Sequence, residues 1–263
     1  MSSDFAWSLS SAGLDYFRSF RRFPRLDSTN SWLLRESRDV EESALPYLVT
    51  ADVQTAGRGR GGRSWYADEG SLAVSWLDSL TRLEIAAAQL PPLALAVGLS
   101  VAEGIEAFLP GVDARVKWPN DVYIGGAKVA GVLIESVPAS TTRFVVGIGV
   151  NVATELGDIS AALQQPATSL RSMARGELDR VVLLREIVQR YQTNLEFFRQ
   201  DFQDLVRRLR ERCLLTGHEL SLRQAGRLIT GSCLGIADCG GLTIQSEGQL
   251  QVVHSGEAVR RRD

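Results

Sequence analysis

Glycine alternates with arginine in one short run of the chain, and a tryptophan closes it: residues 57–65 read GRGRGGRSW. Glycine lets the backbone come close to a ligand, and each guanidinium group can donate two parallel hydrogen bonds to a phosphate or a carboxylate. Trp65 adds a face for a flat ring. The combination is typical of a nucleotide site, although the nine residues alone fit equally well a solvated tract that touches nucleic acid loosely.

The segments on either side of this run decide between the two interpretations. Residues 47–51 (YLVTA) and 71–76 (SLAVSW) are apolar and strand-like. A run held between two strands is an ordered loop on a sheet rather than a disordered tail. Gln54 lies just before the loop and offers both a donor and an acceptor to the predicted pocket.

A second polar segment, KWPND at residues 117–121, combines a cation, an amide and a carboxylate around a proline. Lys117 can bind a phosphate there, and Asp121 can hold Mg²⁺, because hard cations prefer oxygen ligands. The alternative is a polar turn between two strands. The segment by itself does not decide between the two.

Lys128 is the one charged residue of an otherwise apolar strand, AKVAGVL at residues 127–133. Lysine seldom occupies such a position without a partner. The sequence therefore predicts that Lys128 meets either an anionic ligand or a buried acid such as Glu135.

Two further segments carry weaker signals. Residues 27–30 (DSTN) supply N-cap candidates for a helix, which is the commoner use of such residues, but their hydroxyl and amide groups can also bind a neutral polar ligand. Residues 147–151 (GIGVN) place glycines in a strand, where glycine either lets a ligand come close or marks a bulge.

The composition restricts the class of protein. The 263 residues carry a net charge of -2, so the chain as a whole has no attraction to nucleic acid or to an anionic membrane. The three cysteines are odd in number and lack CxxC spacing, which favours reduced thiols in a cytoplasmic protein. With two histidines, a histidine-based triad or metal centre is not expected. We also expect no secretory signal, and no apolar stretch approaches the length of a membrane span.

Hydrophobic periodicity predicts helices and strands up to about residue 215 and a different texture after it. Helices are expected within residues 1–26, around Leu14, Tyr16, Phe17 and Phe20, then from residue 30, at 91–108 and across 178–215. Strands are expected at 47–51, 71–76, 114–118, 121–124, 128–136 and 143–152. Short segments separated by glycines follow from residue 217. The pattern indicates an α/β (α+β) fold: residues 1–215 form the larger domain, with a mixed sheet and helices, and residues 216–263 form a small SH3-like β-barrel.

Taken in order along the chain, the polar segments resemble the motifs of the biotin protein ligases. The resemblance rests on DSTN (27–30), QTAGRGRGGRSW (54–65), KWPND (117–121), AKVAGVLIE (127–135) and GIGVN (147–151), and it extends to HSGE at 254–257. It implies a class II synthetase-like catalytic domain with ATP and biotin as substrates and Mg²⁺ as the metal. It also implies that biotin is activated as biotinyl-5′-adenylate and then transferred to one lysine of a biotin carboxyl carrier protein or domain.

The resemblance further implies roles for individual residues. Lys128 would lie between the biotin carboxylate and the α-phosphate, with Arg58 and Lys117 as the other catalytic candidates. The implied biotin-binding residues are Ser28, Thr29, Asn30, Gln54, Arg58, Gly59, Arg60, Lys128 and Gly131. The implied ATP- and adenylate-binding residues are Arg58, Arg60, Arg63, Trp65, Lys117, Asn120 and Asn151, with Asp121 as a ligand of Mg²⁺.

The partners and the competing activities follow from the same comparison. Family members that act as repressors carry a winged helix-turn-helix domain before the DSTN segment, and the 26 residues here are too few for one, so we expect no DNA partner. We expect no membrane partner, and a homodimer through sheet edges stays open. A lipoate protein ligase is the leading alternative, which the polar residues 27–30 and Gln54 disfavour. The second alternative is a nucleic-acid-binding protein that uses residues 57–65, the arginine loop, and the net charge disfavours it.

Overall fold

The computed structural model describes residues 13–138, 140–157, 165–224 and 226–260. Its main sheet has seven strands in the spatial order β1-β2-β3-β7-β6-β5-β4. β1 and β2 pair in parallel, and the other neighbouring strands pair antiparallel, so the predicted mixed sheet is confirmed. The strands are β1 (Ser19–Leu26), β2 (Tyr47–Gln54), β3 (Ser71–Ser79), β4 (Ala114–Lys117), β5 (Asp121–Ile124), β6 (Ala127–Ser136) and β7 (Arg143–Asn151).

Helices cover both faces of this sheet. Trp76 and Leu77 are neighbours on β3 but belong to different apolar clusters, because successive side chains of a strand point to opposite faces. The larger cluster lies under α3 and α4, and the smaller one includes Leu33 of α1. The helices are α1 (Thr29–Glu36), α2 (Leu80–Leu83), α3 (Leu90–Phe108), α4 (Arg180–Gln200) and α5 (Phe202–Arg212).

The central helix α3 begins with prolines in its first turn, as the sequence predicts. Within the described residues, the segment Ala87–Phe108 is long and apolar enough to cross a membrane, judged by length and composition alone. The expectation that no stretch approaches this length is therefore wrong. However, 67% of the most apolar part of this segment is buried inside the protein. The helix packs on α4 and on β4, β5 and β6, so its apolar surface serves the core.

Gly104 marks the contact between α3 and α4. A Cβ atom at this position would lie 2.7 Å from Cγ1 and 2.8 Å from Cα of Ile187. We expect Gly104→Ala to lower the free energy of unfolding by about 1–3 kcal/mol, because the added methyl group pushes two packed helices apart. Gly98→Ala is the matched control in the same helix, since its nearest neighbour would lie at 3.9 Å. Chemical denaturation of both variants checks this, and equal stability of the two would contradict it.

The start of the described chain differs from the prediction of a helix around residues 14–20. Residues 19–26 form β1, which pairs in parallel with β2. Leu14 and Phe17 are buried in the core just before the strand, and residues 1–12 lie outside the described part. The backbone groups of residues 19–26 find their partners in β2, and Pro24 is tolerated because β1 is an edge strand.

The charged region at 178–215 is helical, as predicted, but it consists of two helices that meet at Asp201. The carboxylate of Asp201 accepts a hydrogen bond from the backbone N–H of Asp204 at 3.1 Å and so caps the start of α5. This break turns the chain toward the C-terminal sheet.

The C-terminal region is a five-stranded antiparallel sheet in the order β11-β10-β9-β8-β12. It agrees with the expected small all-β unit after residue 216. The Trp118 indole N–H donates to the Gly240 carbonyl at 3.0 Å and ties this sheet to the main one. The strands are β8 (Glu219–Gln224), β9 (Arg227–Ile236), β10 (Leu242–Ser246), β11 (Gln249–Val253) and β12 (Glu257–Arg260).

Candidate functional site

A cavity of about 620 Å³ opens over the middle strands of the main sheet. It collects segments that lie far apart in the chain: the start of α1, the arginine loop, and strands β5, β6 and β7. The residues expected from the sequence that line it are Ser28, Thr29, Asn30, Gln54, Arg58, Gly59, Arg60, Arg63, Trp65, Asn120, Asp121, Lys128, Gly131 and Asn151.

One end of the cavity is uncharged and rich in hydrogen-bonding groups. Thr29 donates its backbone N–H to Oε1 of Gln54 at 2.8 Å, and its hydroxyl lies 2.7 Å from that of Ser75. The Ser75 hydroxyl donates to Oδ1 of Asn30 at 2.5 Å. Ser28 caps α1 by accepting from the backbone N–H of Ser31, so residues 28–30 serve both the helix and the cavity.

Glycines on β6 and β7 form the floor of the cavity. Gly131 and Gly149 lie directly opposite each other in the ladder, and Gly147 comes two residues earlier on β7. A Cβ at Gly147 would lie 2.0 Å from Oδ1 of Asn30, and one at Gly149 would lie 2.4 Å from the Trp65 ring. The GIGVN glycines therefore allow two cavity side chains to rest directly on the strand backbone.

The arginine loop is folded back on itself over this floor. Gly61 and Gly62 adopt positive φ angles of 65° and 76°, which favour glycine. Each arginine of the loop binds a different side chain outside it. Arg58 pairs with Glu135 at 2.6 Å, Arg60 donates to Oδ1 of Asn120 at 2.9 Å, and Arg63 pairs with Glu257 of β12 at 2.5 Å.

Lys128 lines the cavity and contacts two other lining residues. Its Nζ is 2.7 Å from Oδ1 of Asp121 and 5.5 Å from the centre of the Trp65 ring. The prediction of an acidic partner is correct, but the partner is not Glu135. Asp121 and Lys128 come from adjacent strands, where a β-bulge shifts the register after Val122, whereas Glu135 faces Arg58.

Lys117 is the one expected site residue that does not line the cavity. Its Nζ donates to Oε1 of Gln165 at 2.8 Å and lies 3.3 Å from the Tyr123 hydroxyl, so Gln165 stands between it and the cavity. Burial lowers the pKa of Lys117, and the carboxylate of Asp121 opposes that effect. Burial also lowers the pKa of Arg60.

Several lining residues were not expected from the sequence. Ser75 lies inside an apolar strand, where a lone serine is no signal. Gln165 and Ala167 belong to a segment that runs beside β6: the backbone N–H of Lys128 donates to the Pro166 carbonyl at 2.8 Å. Only the tertiary structure brings this segment, which has no motif, to the cavity.

Comparisons with known proteins agree with this geometry. The profile of the Biotin/lipoate A/B protein ligase family matches residues 22–152. The biotin--[acetyl-CoA-carboxylase] ligase of Paracoccus denitrificans is 32% identical over 245 residues, which cover 89% of this chain and 97% of that protein. The bifunctional ligase/repressor BirA of Bacillus subtilis is 31% identical over 214 residues, or 80% of this chain. The chain spans 65% of the length of that relative.

A solved structure gives the same result for the fold. The biotin protein ligase of Aquifex aeolicus, in complex with biotin and ATP, has a TM-score of 0.80 and 33% sequence identity to this chain. The match covers 94% of this chain and 100% of the other. With a relative that it matches over nearly the whole length, the same fold and the expected motifs around one cavity, the chain belongs to the biotin protein ligases of the biotin/lipoate A/B protein ligase family.

Proposed function

We propose that this chain is an ATP-dependent ligase that activates biotin as biotinyl-5′-adenylate and transfers it to a lysine of a biotin carboxyl carrier protein or domain. One observation carries the proposal: a single cavity is lined by uncharged hydrogen-bonding groups at residues 28–30, by the three arginines 58, 60 and 63, and by Lys128. Gly147 on β7 lies under Asn30, and Gly149 lies under Trp65 and opposite Gly131. Two residues along a strand span about 6.6 Å, so the two ends are close enough for one ligand to reach both.

The uncharged end suits the ureido ring of biotin. This ring offers N–H donors and a carbonyl acceptor without a charge, and Thr29, Asn30, Ser75 and Gln54 offer the complementary groups. Ser28, Gly59 and Gly131 would complete this end. A charged head group would leave these buried dipoles poorly matched.

The cationic side suits the reacting groups. In the first step an oxygen of the biotin carboxylate attacks the α-phosphorus of ATP, the bond to the β-phosphate breaks, and pyrophosphate leaves. Both reactants are anionic, so Lys128 and Arg58 would reduce their repulsion and stabilise the charge of the transition state. Lys117 would add a positive charge from behind Gln165. Arg60, Arg63, Trp65, Asn120 and Asn151 would hold the nucleotide.

The metal requirement of the reaction points to Asp121. Among the described residues, no group of three histidine, cysteine, aspartate or glutamate side chains could hold a metal ion, and Asp121 is the carboxylate that lines the cavity. A single carboxylate fits Mg²⁺, which binds proteins through one or two carboxylates together with substrate phosphates. When bound, the ion would neutralise phosphate charge. Asp121 would be its protein ligand.

In the second step the amine of the carrier lysine attacks the carbonyl carbon of the mixed anhydride. An amide bond forms, the bond to the phosphate oxygen breaks, and AMP leaves with one proton released from the amine. We propose a cytoplasmic location, which the three free cysteines support. The absence of DNA and membrane partners stays a prediction, as do the homodimer and the domain boundary at residue 215.

The direct test supplies the full chain with MgATP and either biotin or lipoate. We expect pyrophosphate release and a biotinyl-5′-adenylate mass with biotin, followed by biotin on the lysine of an added carrier domain. Adenylation of lipoate alone would favour a lipoate ligase. If neither acid is activated but single-stranded RNA still binds in saturating ATP and biotin, the loop serves nucleic acid instead.

The arginine loop should become protected when both substrates bind. Trypsin cleaves after arginine, and Arg58, Arg60 and Arg63 are all partly exposed. Substrates would hold these side chains and reduce the freedom of the glycine-rich backbone. We expect slower cleavage within residues 57–65 with biotin and MgATP, and unchanged cleavage after the exposed Arg227. Equal cleavage of the loop in both states would argue against closure over the adenylate.

A further inference from the structure

Glu135 does not line the cavity, yet it contacts two residues that do. Its Oε2 accepts a hydrogen bond from the side-chain amide of Asn30 at 3.0 Å, and its Oε1 accepts one from Arg58 at 2.6 Å. The Asn30 amide also lies 3.4 Å from the Leu133 carbonyl, a longer and uncharged contact. Glu135 thus joins the uncharged end of the cavity to the arginine loop.

The carboxylate fixes the direction of every hydrogen bond behind it. A carboxylate paired with arginine only accepts, so the Asn30 atom that faces Glu135 is the nitrogen and the oxygen faces Ser75. Ser75 then uses its one proton on Asn30, and its oxygen must accept from Thr29 at 2.7 Å. The Thr29 hydroxyl also lies 3.1 Å from Gln54 Oε1, but its one proton serves the shorter contact with Ser75, and the Thr29 backbone N–H donates to that Gln54 oxygen at 2.8 Å.

This direction leaves the uncharged end with a defined set of free groups. The remaining lone pairs belong to Asn30 Oδ1, Ser75 and Thr29, and they are acceptors. Gln54, which also lines the cavity, adds an amide N–H₂ donor. If the hydrogen bonds among Asn30, Ser75 and Thr29 ran in the opposite direction, hydroxyl protons would stand where acceptors now stand. Those protons would oppose any ligand N–H placed there.

We propose that Glu135 is a positioning residue that sets the direction of the Asn30–Ser75–Thr29 chain, and so its preference for ligand N–H groups, while holding Arg58 beside it. The proposal rests on the proposed function and deepens it. Glu135 needs no contact with the substrate for this role. It acts because it has two acceptor atoms and no donor.

Glutamine at this position has the same shape but only one oxygen. In Glu135→Gln the oxygen can serve Arg58 or Asn30 but not both, and the guanidinium is the stronger donor. The new amide N–H₂ would then face Asn30 and favour rotation of its side-chain amide. We expect Glu135→Gln to weaken biotin binding about tenfold or more in calorimetry, as unmatched buried polar groups do.

Two matched variants control this experiment. Glu42→Gln also removes a carboxylate that binds one arginine and one serine, Arg143 and Ser79, but it lies away from the cavity. We expect it to change biotin affinity less than twofold. Glu135→Asp keeps an acceptor-only carboxylate and should retain more biotin affinity than Glu135→Gln. If the glutamine variant folds poorly, the aspartate variant still tests whether a carboxylate is needed at this position.

A double-mutant cycle with Ser75→Ala separates positioning from a structural role. If the effect passes along the hydrogen bonds from Asn30 through Ser75 to Thr29, Glu135→Gln should weaken biotin binding by less than about threefold in the Ser75→Ala background. The Ser75→Ala change already interrupts those hydrogen bonds. Equal losses in both backgrounds, or a loss no larger than that of Glu42→Gln, would overturn the proposal. Failure of the wild-type chain to bind biotin would instead refute the proposed function.

Discussion

Lys128→Ala is expected to reduce adenylate formation by about a hundredfold or more, which is the loss typical of removing a preorganised charge aimed at the transition state. The ammonium group belongs to a residue that lines the cavity, and it lies 2.7 Å from Asp121 and over the Trp65 ring. No other lysine lines the cavity, since Lys117 lies behind Gln165. Pyrophosphate release with biotin and MgATP measures the effect.

The thermal midpoint of the same variant tests the competing structural account. The ion pair with Asp121 is partly buried, so its loss should lower the midpoint only moderately. Arg115→Ala is the control, because it removes an ion pair with Asp113 on the same sheet but outside the cavity. Near-normal turnover of Lys128→Ala with a marked drop in midpoint would show that Lys128 is structural and that the assignment of the centre is wrong.

Gly149→Ala is expected to have a comparable effect without touching a charged group. Its added Cβ would lie 2.4 Å from the Trp65 ring, and the strand backbone in the middle of the sheet cannot retreat. Trp65 and the loop behind it must therefore move. A displacement of about 1 Å at a reacting centre can cost about a hundredfold in rate, and we expect adenylate formation to fall by that order.

Gly176→Ala is the matched control for this prediction, because nothing lies within 4 Å of the added methyl group. It should leave turnover and the thermal midpoint unchanged. Gly149→Ala should also keep the fold, since the loop, rather than the sheet, gives way. Normal adenylate formation by a folded Gly149→Ala protein would mean that the position of Trp65 on the strand is not needed.

Local sequence predicted most of the elements that carry the site. Strands β2 to β7 lie where the apolar runs indicated, and the DSTN segment both caps α1 and lines the cavity. The glycines at 147 and 149 do permit close approach, although the groups that approach are Asn30 and Trp65. These predictions hold because a cap, a strand and a glycine contact depend mainly on residue type and near neighbours.

The prediction of a helix at the N-terminal end fails because the element found there depends on a distant part of the chain. Residues 19–26 gain their hydrogen bonds from β2, about 28 positions later in the chain, so a local pattern of apolar residues could not reveal a strand. The sequence does predict a helix at 91–108, and its packing on α4 and the sheet accounts for an apolar length that by itself would suffice to cross a membrane.

Residue types and motif order were enough to predict the segments of the site: the arginine loop, KWPND, Lys128 and the polar start of α1, in the order that marks the family. How their side chains pair became visible in the folded chain. It placed Lys128 on Asp121 instead of Glu135, put Gln165 between Lys117 and the cavity, and gave Glu135 to Asn30 and Arg58. The physical reason is that ion pairs and hydrogen bonds depend on distances across strands and loops, which residue type and spacing along the chain do not fix.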